Sequence, residues 1–497
     1  MEYYAKSKKV QFTSERINEI KKNMKNIEEC LKENLTETDV EILNSSITDI
    51  AEKTEEKQKT LKEHHKDIVT CAEMFFLEYG EYFTEKEKKL VVEACRIHDL
   101  GKVNLVFQAM ICPKLAEKFH IDVRKTSQIP HGFLSAVTIS LDEFDDLSEL
   151  FSDKDFGPFI TAVYYHHDRE DHYNSPAIRK YAEKYYMKQI EEYLNRKIRK
   201  LNCSNLDDLL FRNNVYTGKY IPDSNAWKEY LLIKGLLNKF DYTVSAGYEN
   251  AESAIDLHEK KLVKNIEKFL NGKELRPAQK FMKMNRDKNL IVIAPTGSGK
   301  TEASLLWMNG EKSFYTLPLK VSSNAIYLRI KENYEYKDVA LLHSDAMAVY
   351  LREYNGNEDI GEKYERSKML SQPLTVCTVD QLFRFVYRAL GTEIFAATLK
   401  YSKLVLDEIQ AYEPRVIATI IYGLKMIQEM GGKFAIITAT FPPVLKYFME
   451  QYGLVEGKQY IFKDFTGKEY QVEKYPRHKV EIRHSEMLEK NKEEKHS

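Results

Sequence analysis

Two kinds of apolar pattern divide the chain. Up to about residue 250 the apolar positions recur every three or four residues, the period of a helix with one buried face. Leu61, His64, Ile68, Cys71 and Phe75 share one such face, and Leu90, Val91, Ala94 and Cys95 share another. Pro130-His131-Gly132-Phe133-Leu134-Ser135-Ala136 reads as a turn opening a further apolar helix. Phe159, Ile160, Val163 and Tyr164 lead helically into His166-His167, and Leu232, Leu236, Leu237 and Phe240 precede Asp241. Past about residue 260 the pattern changes to short continuous apolar runs separated by helices: Asn289–Ala294, Ser313–Leu317, Val339–His343, Leu374–Val379, Lys403–Leu406 and Phe434–Thr438. Strands without alternation, spaced by helices, predict a buried parallel sheet in a doubly wound α/β unit. The expected organisation is a Lys/Glu-rich N-terminal helical segment over 1–55, an all-α domain over 56–255, an α/β domain over 256–470 and a charged tail over 471–497.

The helical half places polar groups where apolar ones belong. His98 falls on the face of Leu90, Val91, Ala94 and Cys95, Asp99 follows it, and Gly101 is expected to end the helix. A buried imidazole and carboxylate need something charged or polar to meet. His64 and His65 are adjacent, so one alone points inward, and the spacing favours His64. One His-Asp pair would settle nothing: the dipeptide recurs at His167-Asp168, and a hydrogen-bonded core histidine accounts for it. Several helices that each deliver such a group are harder to explain that way.

Length and charge narrow the class. A chain of 497 residues exceeds one hydrophobic core, and 43% hydrophobic with 30% charged residues fits a globular protein. The net charge of −1 gives no global basic signal, so a nucleic-acid site has to be a local patch. Six cysteines without a C-x-x-C pair argue against a zinc ribbon or a disulfide framework. The N-terminus lacks the pattern of a signal peptide and no apolar run approaches membrane-spanning length, so a cytoplasmic location is expected.

The first strand of the α/β half runs into Ala294-Pro295-Thr296-Gly297-Ser298-Gly299-Lys300-Thr301 and then a helix. This is a phosphate loop: its glycines let backbone N–H groups approach phosphates, Lys300 reaches the β/γ oxygens and Thr301 holds Mg²⁺. Ala294 stands where the strict pattern has glycine, a departure normal in superfamily 2 helicases, and the motifs around it resemble that superfamily in order. Arg276-Pro277-Ala278-Gln279 corresponds to its adenine-reading segment, with Gln279 as the reader. Thr316-Leu317-Pro318-Leu319-Lys320 and Thr378-Val379-Asp380-Gln381 resemble strand-contacting motifs, although the second reads equally well as a capped helix. Asp407-Glu408-Ile409-Gln410 supplies a Mg²⁺ carboxylate, Asp407, and a candidate base, Glu408. Thr438-Ala439-Thr440 matches the motif that couples hydrolysis to movement.

In the helical half, a lone His, a His-Asp, a further His, a His-His pair and a late helical Asp resemble, in that order, the nuclease form of the HD phosphohydrolase fold. The resemblance implies as metal ligands His64, His98, Asp99, His131, His166, His167 and Asp241. Seven such groups suffice for two metals with Asp99 bridging, and mixed imidazole and carboxylate favours Mn, Fe, Co or Ni over an all-oxygen Mg site. Two ions roughly 3.5–4 Å apart can clamp a phosphodiester, activate a water and stabilise the leaving oxygen. Asp99 is then catalytic as well as a ligand. Lys102 is implied to stabilise phosphate charge, or else faces the helix dipole as an ordinary C-terminal cation. Between 169 and 223 an insertion interleaves Arg179, Lys180, Tyr181, Lys184, Tyr185, Tyr186, Lys188, Tyr193, Arg196 and Lys197. That pattern suits a single-strand funnel, or a solvated helix that packs its tyrosine faces, the reading favoured here.

An HD nuclease followed by a RecA-like superfamily 2 lobe resembles the signature helicase-nuclease of type I CRISPR systems. The family unwinds and degrades the DNA strand displaced by an RNA-guided surveillance complex (Cascade). The expected function is cleavage of single-stranded DNA, with ATP and Mg²⁺ at the phosphate loop for translocation. No arginine motif of a second lobe follows Thr440, so that lobe is expected to be absent from this chain or supplied by another. Gln279, Lys300, Asp407 and Glu408 are then expected to face solvent on one side, with poor ATP hydrolysis and no unwinding by the chain alone. Two other readings stay open: an HD phosphohydrolase acting on nucleotides with a regulatory phosphate-loop domain, and a non-catalytic protein that docks on the surveillance complex.

Overall fold

The computed structural model describes residues 3–5, 9–11, 52–54, 59–139, 156–167, 175–198, 201, 210, 225–253, 260–353 and 360–470. Most of the expected N-terminal helical segment, Asp168 and the tail over 471–497 lie outside the described residues. What is described near the N-terminus is extended instead of helical: β1 (Lys9–Gln11) pairs antiparallel with β2 (Glu52–Thr54), and Tyr4 bridges Thr60.

The helical half is built on α1 (Leu61–Tyr79), α2 (Glu85–Ile97), α3 (His131–Thr138), α4 (Phe156–Tyr164), α5 (Ser175–Tyr185), α6 (Met187–Leu194) and α7 (Asn225–Ser245). The first two begin with capping boxes. Thr60 Oγ1 accepts the Glu63 N–H at 3.2 Å while the Glu63 carboxylate accepts the Thr60 N–H at 2.9 Å, and Thr84 and Glu87 repeat the arrangement. These caps set where each helix starts and so the phase at which His64 and His98 face inward. α7 packs against α1, α2 and α4. Its inner stripe of Leu231, Leu232, Leu236, Leu237 and Phe240 is buried throughout.

The second half holds a seven-stranded, all-parallel sheet of β3 (Leu290–Ile293), β4 (Ser313–Leu317), β5 (Val339–Leu342), β6 (Leu374–Thr378), β7 (Lys403–Asp407), β8 (Lys433–Thr438) and β9 (Ile461–Asp464). Their order across the sheet is β5-β6-β4-β7-β8-β3-β9. The first six coincide with the six apolar runs. β9 is an addition: it pairs with β3 alone, is half exposed, and turns polar at Lys463-Asp464, so it presents no continuous apolar run. Around the sheet lie α8 (Pro277–Met284), α9 (Lys300–Met308) and α10 (Glu393–Lys400).

The two halves share a core. One face of the sheet, with Leu290, Val292, Tyr315, Val376 and Val405, closes on α9 and its neighbours. The other face, with Ile291, Phe314, Leu404, Leu406 and Ile436, is continuous with the buried residues of α1, α2 and α7. The expected boundary near residue 255 is therefore no boundary in packing. α7 crosses α10 so closely at Gly235 that a Cβ there would run into the Glu393 carbonyl and Ala397. Beside the crossing, the buried Glu393 carboxylate accepts from Lys234 Nζ (2.8 Å), Tyr230 OH (2.6 Å) and Gly391 N–H (2.8 Å). A second buried carboxylate, Glu252, meets Lys239 Nζ at 2.8 Å together with Lys312 and Tyr401. Burial pulls the Lys312 amine down to about 7 despite that partner. No helix among the described residues is long and apolar enough to cross a membrane.

Candidate metal centre and nucleotide site

Five elements converge on Asp99. α1 delivers His64, the end of α2 delivers His98 and Asp99, α3 opens with His131, the turn after α4 carries His166 and His167, and α7 carries Asp241. Asp99 is fully buried. Its Oδ1 lies 3.1 Å from His131 Nε2 and 3.6 Å from His166 Nε2. Its Oδ2 lies 3.4 Å from both His64 Nε2 and His98 Nε2, and 2.6 Å from Lys102 Nζ. Burial alone would raise the Asp99 carboxyl, but the polar groups gathered around it, Lys102 at 2.6 Å among them, hold it well below the usual carboxylate range.

The histidines are oriented from behind. His98 Nδ1 lies 3.0 Å from the Cys95 carbonyl and His166 Nδ1 lies 2.6 Å from the Val163 carbonyl. A carbonyl only accepts, so each Nδ1 carries the proton and each Nε2 turns a lone pair toward Asp99. Lone pairs converging on a carboxylate repel one another unless a cation lies among them. The Nε2 atoms of His98, His131, His166 and His167 and both Asp99 oxygens are buried with no hydrogen-bond partner of good geometry. The donor atoms of Asp99, His131, His166 and His167 lie within 4.8 Å of one another, as do those of His64, His98 and Asp99. Two groups sharing one carboxylate fit two cations bridged by Asp99. Asp241 belongs to neither group; its Oδ1 lies 3.1 Å from His64 Nε2 and accepts from Ser245.

His65 turns away from Asp99, with Nδ1 3.1 Å from Tyr193 OH. The phase argument for His64 over His65 matches the geometry. The Lys102 amine is buried at the centre, against Asp99. Gly101 differs from expectation. α2 ends at Ile97, and Gly101 sits in a 3-10 turn over Leu100–Val103 without a positive φ. It is needed for closeness: a Cβ there would run into the His131 carbonyl. Its N–H donates to Ser135 Oγ (2.8 Å), which donates to the His131 carbonyl (2.9 Å). Gly132 does the same for the other side, where a Cβ would lie 2.8 Å from the Tyr164 carbonyl and 3.0 Å from the His166 ring. A glycine beside each ligand, in His-Asp-Leu-Gly and Pro-His-Gly, was the signal for this packing.

In the insertion, α5 and α6 bury Ile178, Tyr181, Ala182, Tyr186 and Ile190 and expose Arg179, Lys180, Lys184 and Lys188. Tyr181 donates to Asn104 Oδ1 at 2.9 Å. The buried tyrosines pack as the solvated-helix reading expects.

The phosphate loop links β3 to α9. Gly297 and Gly299 adopt φ of +76° and +84°, which side chains rarely tolerate, and a Cβ on Gly299 would strike the Gln279 amide. Gln279 is buried, accepting the Arg276 N–H (3.0 Å) and donating to the Gly299 carbonyl (3.3 Å). Thr296 lies on the exposed tip, Ser298 Oγ is buried without a partner, and Thr301 is buried in the first turn of α9. Lys300 pairs with Glu408. Asp407 is buried at the end of β7; its Oδ2 accepts from Tyr315 OH at 2.6 Å and its Oδ1 has no partner. The expectation that Gln279, Lys300, Asp407 and Glu408 all face solvent therefore fails for Gln279 and Asp407, which the sheet and loop cover.

Glu408 holds φ of +54°, a strained value for a side-chain-bearing residue, and accepts from Gln410 Nε2. Thr438 donates to Gln410 Oε1, which ties the Asp407–Gln410 segment to Thr438-Ala439-Thr440. The orphaned Asp407 oxygen and a lysine resting on a carboxylate fit a site for Mg²⁺ and phosphate. Tyr315 was not foreseen, because a tyrosine within an apolar strand reads as core.

The comparisons agree with this division. Residues 51–224 match the family model described as "Cas3, HD domain", and residues 277–448 match the DEAD/DEAH box helicase model. Asp241 lies beyond the first match. The chain is 25% identical to the CRISPR-associated nuclease/helicase Cas3 of Methanothermobacter thermautotrophicus, over 80% of this chain and 54% of that one. It is 25% identical to the CRISPR-associated endonuclease/helicase Cas3 of Escherichia coli, over 33% of this chain and 21% of that one. The fold resembles the crystal structure of T. fusca Cas3-ATP with a TM-score of 0.56, at 15% identity over 81% of this chain and 51% of that one. The chain thus spans about half the length of the archaeal relative and of the T. fusca structure. A Cas3-type HD domain and a DEAD/DEAH box helicase lobe are thus matched in one chain, which is similar over most of its length to the archaeal nuclease/helicase Cas3.

Proposed function

We propose that the helical half cuts single-stranded DNA at the Asp99 centre with Mn, Fe, Co or Ni, and that the phosphate loop binds ATP with Mg²⁺ for movement along DNA. The setting is antiviral defence in the cytoplasm, beside an RNA-guided Cascade complex. The reading rests on one observation above the others: buried imidazole nitrogens without hydrogen-bond partners converge on one buried carboxylate, in two groups of donor atoms that share it. His64, His98, Asp99, His131, His166, His167 and Asp241 would hold the metals. Bound there, two such ions supply Lewis-acid stabilisation of phosphodiester charge and lower the pKa of a water. The chain's own groups prepare this. Cys95 and Val163 fix the tautomers of His98 and His166, and Lys102 keeps Asp99 ionised. In the α/β half Lys300 would exchange Glu408 for a phosphate, which frees Glu408 to accept a proton from water.

Purified protein should retain the transition metal, measured by elemental analysis, and should cut single-stranded DNA in preference to mononucleotides. Asp99→Ala should lose both the metal and cutting while keeping its melting transition, and His65→Ala should keep more of each. Lys300→Ala should weaken ATP binding and leave cutting of free single strands near wild type. Normal cutting by Asp99→Ala would remove the centre from consideration. Hydrolysis of mononucleotides with intact single strands would favour the phosphohydrolase reading.

A further inference from the structure

We propose that Tyr315 is a positioning residue of the nucleotide site, fixing the Asp407 carboxylate so that a single oxygen is left for the nucleotide's Mg²⁺. The inference rests on the reading of Lys300 and Asp407 as the phosphate and Mg²⁺ groups. Tyr315 lies within β4, fully buried, and pairs in register with Val405 of the adjacent β7. Asp407 is two residues further along β7, a diagonal neighbour within reach of a long side chain. The phenol meets it: Tyr315 OH donates to Asp407 Oδ2 at 2.6 Å. The rest of that sheet face is apolar, with Leu290, Val292, Val376, Val405 and Ile437, and the other polar groups beside the phenol are the Thr301 and Ser304 hydroxyls of α9.

A carboxylate that is held at one oxygen cannot rotate freely. Its other oxygen, Asp407 Oδ1, is buried without a partner and sits at the strand end beside the phosphate loop. Tyr315 thus decides which oxygen is presented and at what angle. Without the phenol the carboxylate would lose its buried side-chain donor and would turn to whichever donor came nearest.

Tyr315→Phe deletes the hydroxyl and keeps the ring that fills the sheet. The probe is a fluorescent ATP analogue, titrated with Mg²⁺ and again with EDTA, and the ratio of the two affinities measures what Mg²⁺ contributes. Removal of a group that orients a metal ligand typically weakens metal binding by about 10–100-fold. The ratio should therefore fall by about tenfold in Tyr315→Phe, with the affinity in EDTA unchanged. On an Asp407→Asn background the same change should leave the ratio where Asp407→Asn put it. If the phenylalanine leaves the fold unstable by thermal melt, Tyr315→Met is read by the same ratio. A wild-type ratio in the variant would overturn the proposal, as would an equal loss with and without Mg²⁺ or an undiminished effect on the Asp407→Asn background. Absence of Mg²⁺-dependent binding in the wild type would overturn the nucleotide-site reading itself, and the proposal with it.

Discussion

His64 and His65 are neighbours on α1 with opposite electrostatic fates. Burial works to lower His64, but hydrogen bonds to Asp241 and Asp99 outweigh it and raise the ring above its ordinary value. His65 lacks them, and burial takes it down to about 3. Burial likewise takes His131 to about 3 and lowers His166 and His167. These four rings stay neutral in the fold and take up protons more readily once unfolded. Their share of stability is whole above pH about 6.5 and declines as pH falls toward 3. His64 acts the other way: its share is present below about 6.5 and is lost as pH rises through its raised folded value. Four against one sets the sign, so metal-free protein in EDTA should lose melting temperature as pH goes from 7.5 to 5.5. A rise over that interval would contradict the buried neutral set. The inward choice of His64 was legible because helical phase is a local property. Nothing local shows that its partner is Asp241, 177 residues away.

The element that assembles the centre is the turn over Leu100–Val103 that follows α2, and its fit to α3 is steric. Gly101 and Ser135 set how near the Asp99 turn stands to His131, through a contact and a pair of hydrogen bonds. Gly101→Ala should push α3 outward and reduce retained metal at least as much as loss of a single ligand, with the melting temperature also lowered. Ser135→Ala leaves the Gly101 N–H buried and unmatched, a cost of about 1–3 kcal/mol. It should weaken metal retention less. Equal metal content in Gly101→Ala and wild type would show that the turn does not govern the site. The sequence suggested this glycine as a helix stop, since Gly after a helix commonly is one; its actual constraint is an approach by backbone 30 residues on. The sheet was more legible. Six strands are buried on both faces and so read as unbroken apolar runs, whereas β9 sits at the edge with solvent on one side and escapes that signal.

At the scale of the molecule, the two halves are joined as elements of one core. Lys234 and Glu393 are both fully buried, as are Lys239, Glu252 and Lys312, and each set spans the join. Removal of one partner strands the other, which typically costs about 3–5 kcal/mol. Lys234→Ala should therefore lower stability by about that amount in denaturant titrations, and the paired change Lys234→Met with Glu393→Leu by much less. Helical and sheet signals should be lost in one transition; two separated transitions would show that the halves fold apart. The sequence placed a domain boundary near 255 because the apolar period changes there, but period reports secondary structure, and the ion partners lie 159 residues apart. This has a consequence for anyone who would divide the protein. Expressed alone, either half would carry an open face of core character, with Phe75 and Phe240 on one piece and Tyr401 on the other, and charges with no counterpart. Such a surface behaves like a permanent subunit interface. Two polypeptides cut between 253 and 260 should accumulate poorly when made singly, yet co-purify as a tight one-to-one pair when made together. A stable, monomeric helical fragment would show that the seam is shallower than its packing implies.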